Sequence, residues 1–301
     1  MKNQYLCDIG DFGKYALLRS FAKNGVKIGV NWYLTEDDGS NDGKMKDYLE
    51  KEDLRNYDPA LFDALKKINA LPDKTVNLIE EQSIIPRAVY YCEFLRSRKL
   101  TASQREMERG AWFIKSLELF HHQEAELIFC DPDNGLTHKP VRVADSEKYV
   151  IPEEIRQYYA TGKNVVYYCH KGRRSSEAWE QTKSEMLRHL PDAKIIVMTY
   201  RKGTQRSFIF VVHPETYQRY LNVLDDFMQP YWYRAFWKEP IYNKIPGDEK
   251  IGKPFEVTLE DQTVLTLKKR ADGRIQIYTS DTPGTSVILS PEILKRRLLG
   301  R

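Results

Sequence analysis

The sequence predicts an α/β fold: a mostly parallel sheet with one antiparallel strand, followed by a small β-module. Three observations predict it. Short apolar runs such as KIGVNWYLT (27–35) and NVVYYCH (164–170) alternate with longer stretches whose apolar residues recur at helical spacing. Two strand-like runs, KIIVMTY (194–200) and SFIFVVHP (207–214), then follow one another across the turn RKGTQR. With no helix between them, the second must run antiparallel to the first. Beyond Trp237 the composition shifts to Pro, Gly and Lys, and after that to alternating strands.

The elements follow in order. Segment 8–24 reads as a helix with Asp11 as candidate N-cap, Leu17, Leu18 and Phe21 on one face, and Gly25 as its stop. Strand 27–35 empties into the loop EDDGSNDGK (36–44). A helical insertion is expected near 45–70, where Tyr48, Leu49, Leu54, Leu61, Phe62, Leu65 and Ile68 recur at near-helical spacing. IIPRAVYYCEFL (84–95) contains a strand. A long helix over 101–122 should turn Met107, Trp112, Ile114 and Leu117 inward. Strand 127–130 leads into DPDNG (131–135), and IPEEIRQYYATGK is a short helix stopped at Gly162. Residues 175–190 form a helix capped by Ser175 or Ser176, and 215–232 a last amphipathic one. The expected organisation is an α/β domain over 1–237, a linker over 238–249 and a β-module over 250–301, where FEVTL, VLTLKK, RIQIYT and SVILS alternate at period two.

Composition narrows the class. The chain has 301 residues, 30% charged and 41% hydrophobic, enough for one α/β domain with an appendage. No apolar run approaches the roughly 20 residues of a membrane span, and the start lacks the apolar core of a signal peptide. Cys7, Cys92, Cys130 and Cys169 form no CxxC pair, so buried free thiols in a reducing cytoplasm are expected rather than a zinc site. Net charge is +4, yet residues 163–206 hold ten Lys or Arg against four acids, a local excess of +6. Such an excess suits a polyanion, RNA or DNA.

In an open parallel sheet, ligands bind beyond the carboxyl ends of the strands. Four loops should converge there: EDDGSNDGK, the Glu93 region, DPDNG and CHKGRR. One wall would be acidic, with Glu36, Asp38, Asp131 and Asp133 beside Asn134. The other would be basic, with Lys171, Arg173 and Arg174, joined by Arg201, Lys202 and Arg206 from the turn of the closing strand pair.

These blocks resemble the class I S-adenosylmethionine-dependent methyltransferases, in particular the bacterial ribosomal RNA adenine methyltransferases related to RlmJ. Asp11 and Lys14 precede the first strand as an acid and a lysine do in that family. An insertion follows the first strand, and Asp131-Pro132-Asp133-Asn134 stands where an Asn/Asp-Pro-Pro-Tyr/Phe tetrapeptide ends a strand. The resemblance covers about 1–235. It implies a Rossmann-like fold with Asp131, Asp133, Asn134 and Lys14 as catalytic residues. It also implies S-adenosylmethionine held by Glu36, Asp38, Gly39, Gly43 and Glu93, with Asp131 accepting from the target amine. Two positions depart from the pattern: Asn134 replaces the stacking aromatic, and Gly39 and Gly43 stand four apart among acids. The chain also resembles a group of uncharacterised bacterial proteins sharing the GDFGKY, WYL and DPDNG blocks.

Two other readings remain open. Clustered carboxylates are hard oxygen ligands, so Glu36, Asp38, Asp131 and Asp133 would hold Mg²⁺ or Mn²⁺ in a metal-dependent nuclease. A non-catalytic nucleic-acid or partner-binding protein would use the same scaffold.

Overall fold

The β-branched and aromatic runs of the sequence form a seven-stranded mixed sheet, in the spatial order 89–91, 28–31, 127–130, 164–169, 206–212, 194–200 and 236–239. The computed structural model describes residues 1–37, 39, 43, 45–96, 100–137, 145–239 and 241, and the strands 255–258, 264–269, 275–279 and 286–289. The chain divides into two compact units. One comprises Met1–Gly172 and His189–Ile241, the other Arg173–Arg188 and Tyr242–Arg301. Most of the expected linker, 240 and 242–249, lies outside the described residues.

In the first unit, β1 (Ile28–Asn31), β2 (Val89–Tyr91), β3 (Leu127–Cys130) and β4 (Asn164–Cys169) are parallel neighbours. The strands expected at 28–34, 127–130 and 165–169 therefore lie side by side as the alternation implied. Next to β4 comes β6 (Arg206–Val212), antiparallel to it and to β5 (Lys194–Tyr200). One further strand, β7 (Phe236–Glu239), pairs antiparallel with β5 at the edge. The expectation of a single antiparallel strand is corrected by β7, which lies where the composition begins to change. Its burial runs in–out–out–in, so period-two alternation is broken and the strand is hidden in the sequence.

Alternate residues of each strand face opposite helices. Val30, Phe129, Val166 and Phe210 pack against α1 (Ile9–Lys23), α3 (Pro59–Asn69) and α8 (Pro214–Phe227) in one apolar core. On the other face, the Tyr158 hydroxyl of α6 (Pro152–Ala160) accepts from Asn31 Nδ2 and shares a hydrogen bond with Ser116 Oγ, while Phe113 and Phe120 of α5 (Ala102–His122) pack on its ring. Arg109 of α5 reaches Glu154 of α6 through Nε (2.7 Å) and Nη2 (2.9 Å), both side chains being buried. Between β1 and β2 the insertion forms α2 (Glu52–Arg55), α3 and α4 (Asn77–Glu81).

Two local expectations change. Asp8, not Asp11, caps α1: its backbone is extended and its carboxylate accepts from the Asp11 amide. Asp11 sits one turn in, where its carboxylate accepts from the Cys7 amide (2.9 Å) and pairs with Lys14 (2.7 Å). On α5, Met107 and Ile114 are exposed, while Arg109, Trp112, Phe113, Ser116 and Phe120 are buried. Trp112 is buried as expected and Leu117 half-buried, but the buried stripe also takes in a charged residue satisfied by a partner 45 positions away, so hydropathy alone misplaces Met107 and Ile114.

In the second unit, Ser175 caps α7 (Ser176–Ser184). The strands β8 (Phe255–Thr258), β9 (Val264–Lys269), β10 (Ile275–Thr279) and β11 (Ser286–Leu289) form an antiparallel meander, as the period-two pattern predicts.

Candidate functional site

The sequence GDFGKY starts α1 against the carboxyl edge of the sheet. Asp8, Asp11 and Lys14, spaced three apart, fall along one side of the first turns. Gly10 permits the approach: a Cβ there would stand 2.3 Å from Nε of Arg206, the first residue of β6. Arg206 in turn donates from Nη2 to Asp8 Oδ2 at 2.7 Å.

Period two carries the α1 face of β3 onward from Phe129 to Asp131, and that of β4 from Val166 to Tyr168 and His170. Tyr168 pairs across the ladder with Phe208. Together these residues line a cavity of about 400 Å³ with Lys2, Tyr5, Pro132, Asp133, Asn134, Gly43 and Lys148 among its walls. That volume suits a small molecule or a single extruded group.

The cavity is built around opposed charges. Lys14 Nζ lies 2.7 Å from both Asp11 Oδ1 and Asp131 Oδ2. The Met1 amino group donates to the carbonyls of Tyr33 (3.2 Å) and Asp131 (2.9 Å) and stands 2.8 Å from Asp133 Oδ1. Burial pushes the Asp131 pKa up, and Lys14 with the Met1 amino group reverses only part of that. Asp11 is raised for the same first reason, with Lys14 opposing. Burial would lower Lys14, but its two carboxylates more than compensate, and the ammonium is held above its ordinary value. Among the described residues no hydrogen bond reaches Asp131 Oδ1, which leaves that oxygen an available acceptor beside the cavity.

DPDNG owes its shape to its last residue. Gly135 has φ +93°, and a Cβ there would stand 2.6 Å from Cys169 Sγ and 3.0 Å from Cys169 Cα. Asn134 N donates to the Lys148 carbonyl (2.9 Å), and Val150 N to the Gly135 carbonyl (3.0 Å), so the loop is tied to the chain that follows it.

The structure brings Lys14, Asp131, Asp133, Asn134, Gly43 and Arg206 to one cavity. Glu36 is exposed, 4.0 Å from Arg96, and is not among the lining residues. Glu93 is exposed and pairs with Lys115 at 3.0 Å. Gly39 N donates to Gln4 Oε1 (3.3 Å), and Asp38 lies outside the described residues. Lys171 follows β4 without lining the cavity, Arg201 and Lys202 stand at the turn after β5, and Arg173 and Arg174 belong to the second unit. Lys2, Tyr5, Asp8, Tyr168 and Phe208 join the cavity unforeseen. Continuing the alternation of β4 by one step marks Tyr168, but Asp8 meets Arg206 across 198 positions with no local signal.

Four free cysteines are present, three of them buried. Among the described residues no group of three His, Cys, Asp or Glu side chains is arranged to hold a metal ion, and no helix is long and apolar enough to cross a membrane. No family model matches this chain, and no curated protein matches it in sequence.

Proposed function

We propose that the first unit is a nucleic-acid-directed domain of Rossmann-like, methyltransferase type, whose cavity receives the exocyclic amine of an unpaired base. The strand order supports the fold type. It runs one way from β1 to β2 and the other way through β3 and β4, so the order reverses between β1 and β3, where doubly wound sheets bind ligands. Asp131 stands immediately beyond β3 at that reversal. The observation that carries the chemistry is its divided carboxylate. Lys14 holds Oδ2, which fixes the rotamer, while Oδ1 is left to accept from an amine. Tyr168 and Phe208 offer apolar ring surface to a planar base nearby.

The metal-dependent alternative is less well supported. Lys14 and the Met1 amino group already stand within 2.8 Å of the carboxylates that a Mg²⁺ or Mn²⁺ ion would need. S-adenosylmethionine meets a different obstacle. The residues after β1 are Trp32, Tyr33 and Leu34, all buried, with Leu34 bridged to Phe94, rather than a glycine-rich loop. Glu36 and Glu93 make their ion pairs away from the cavity. These residues do not fit the cofactor in the manner the resemblance implies.

The test is base preference. Labelled oligonucleotides of about 12 nucleotides at about 50 mM salt are compared by fluorescence anisotropy. Oligo(A) or oligo(C), which carry exocyclic amines, should bind more tightly than oligo(U), which does not. Equal binding of all three would remove Asp131 as the amine acceptor. Calorimetric titration with S-adenosylmethionine, and separately with Mn²⁺, then decides whether either group belongs to the protein.

A further inference from the structure

A second feature lies on the same unit, outside the cavity. Trp232 is buried, stacked on Phe227 and packed on Phe12, Tyr57 and Phe236. With that ring inside, its neighbours point out: Tyr231 is 41% exposed and Tyr233 49%. Tyr57, from the insertion after β1, lies with its ring 6.0 Å from that of Tyr231. Trp237, on the edge strand β7, is 45% exposed.

Cations lie on these rings. The Arg201 guanidinium is 4.3 Å from the Trp237 centroid, Lys202 Nζ is 5.9 Å from that of Tyr57, and the Arg234 guanidinium is 5.4 Å from that of Tyr233. Among the described residues none of the three has a carboxylate at ion-pair distance, whereas Lys238, beside Trp237, is paired with Asp225 at 2.6 Å. Arg201 and Arg234 are exposed over the exposed rings of Trp237 and Tyr233, and Lys202 and Tyr57 are half-buried beside them. With no carboxylate paired to these cations among the described residues, positive charge and ring surface together are open to a ligand. An acidic peptide would use the charge alone. A single-stranded nucleic acid uses both, phosphates on the cations and bases on the rings.

We propose that Tyr57, Tyr231, Tyr233 and Trp237, with Arg201, Lys202 and Arg234, form a stacking platform for single-stranded nucleic acid. The turn that carries Arg201 and Lys202 also carries Thr204 and Arg206, which line the cavity. A strand held on the platform is thereby led to the cavity. The inference rests on the nucleic-acid partner proposed above, but not on amine recognition or on methyl transfer.

The experiment uses the full chain and labelled oligo(U) of about 12 nucleotides, which has no exocyclic amine, so the outcome is independent of Asp131. Oligo(U) should bind more tightly than a duplex of equal length. Tyr231→Ala and Tyr233→Ala should each weaken binding about tenfold, while Tyr231→Phe and Tyr233→Phe retain it, since the phenyl face is kept. Arg201→Gln and Arg234→Gln should each reduce the slope of log affinity against log salt by about 0.7. Circular dichroism melting of every variant should stay close to the parent, because none of the four side chains is buried. The platform is overturned if the alanine variants bind as the parent does, if duplex binds as well as single strand, or if polyglutamate competes as well as unlabelled oligo(U). Loss of the preference for oligo(A) with the platform variants behaving as expected would count against the cavity reading alone.

Discussion

Lys14 Nζ lies 2.7 Å from Asp131 Oδ2 across 117 positions of sequence, and it is equally close to Asp11 Oδ1. One buried ammonium thus serves two buried carboxylates. Removing a partner from such a group leaves charge uncompensated in a low-dielectric site, which costs about 3–5 kcal/mol.

Lys14→Met keeps the volume and removes the charge, so urea unfolding at neutral pH should show a loss of that size. The pH dependence has a defined sign. Asp11 and Asp131 already titrate above their ordinary value because of burial, and without Lys14 they rise further. A carboxyl group whose folded pKa exceeds its unfolded one binds its proton more tightly in the folded state. Its contribution is full below the ordinary carboxylate range and is lost as pH rises through the folded value. The variant should therefore be closest to the parent in acid and fall behind it as pH rises. A constant difference across pH would show that Lys14 acts through packing alone.

Gly135→Ala tests the loop that presents Asp131. The substitution meets φ +93° and a Cβ within 3.0 Å of the Cys169 backbone, two costs that do not offset each other. A loss of about 2 kcal/mol or more is expected from strain and overpacking together. Binding of oligo(A) should weaken more than that of oligo(U), since only the cavity is disturbed. Thermal melting and the anisotropy assay read the two effects separately.

The two sides of α5 should respond in opposite ways. Met107→Lys and Ile114→Lys alter exposed positions and should change stability by about 0.5 kcal/mol or less. Phe113→Ala and Phe120→Ala remove buried rings that pack on Tyr158, and should cost about 3–5 kcal/mol. Urea midpoints of the four variants are sufficient. A large loss at Met107 or Ile114 would mean that this face is covered in the folded protein.

What the amino-acid sequence determines by itself here is the local order. The parallel neighbours at 28–31, 127–130 and 164–169, the strand pair at 194–212 and the period-two module are set by runs of apolar, β-branched and aromatic residues whose periodicity acts over a few positions. The place of DPDNG at a strand end was legible for the same reason: an apolar run ending in acids, a proline and a glycine marks a strand leading into a shaped loop. The tertiary structure alone decided which charges meet. Asp8 finds Arg206, Asp11 and Asp131 share Lys14, Glu93 turns to Lys115, and Arg109 makes a polar residue part of a buried helix face. Apart from Asp11 and Lys14, neighbours on one helix face, each pairing joins side chains remote in sequence through elements placed by the packing of the whole sheet. Charge pairing is set by distance in space and by shared burial, neither of which local periodicity encodes.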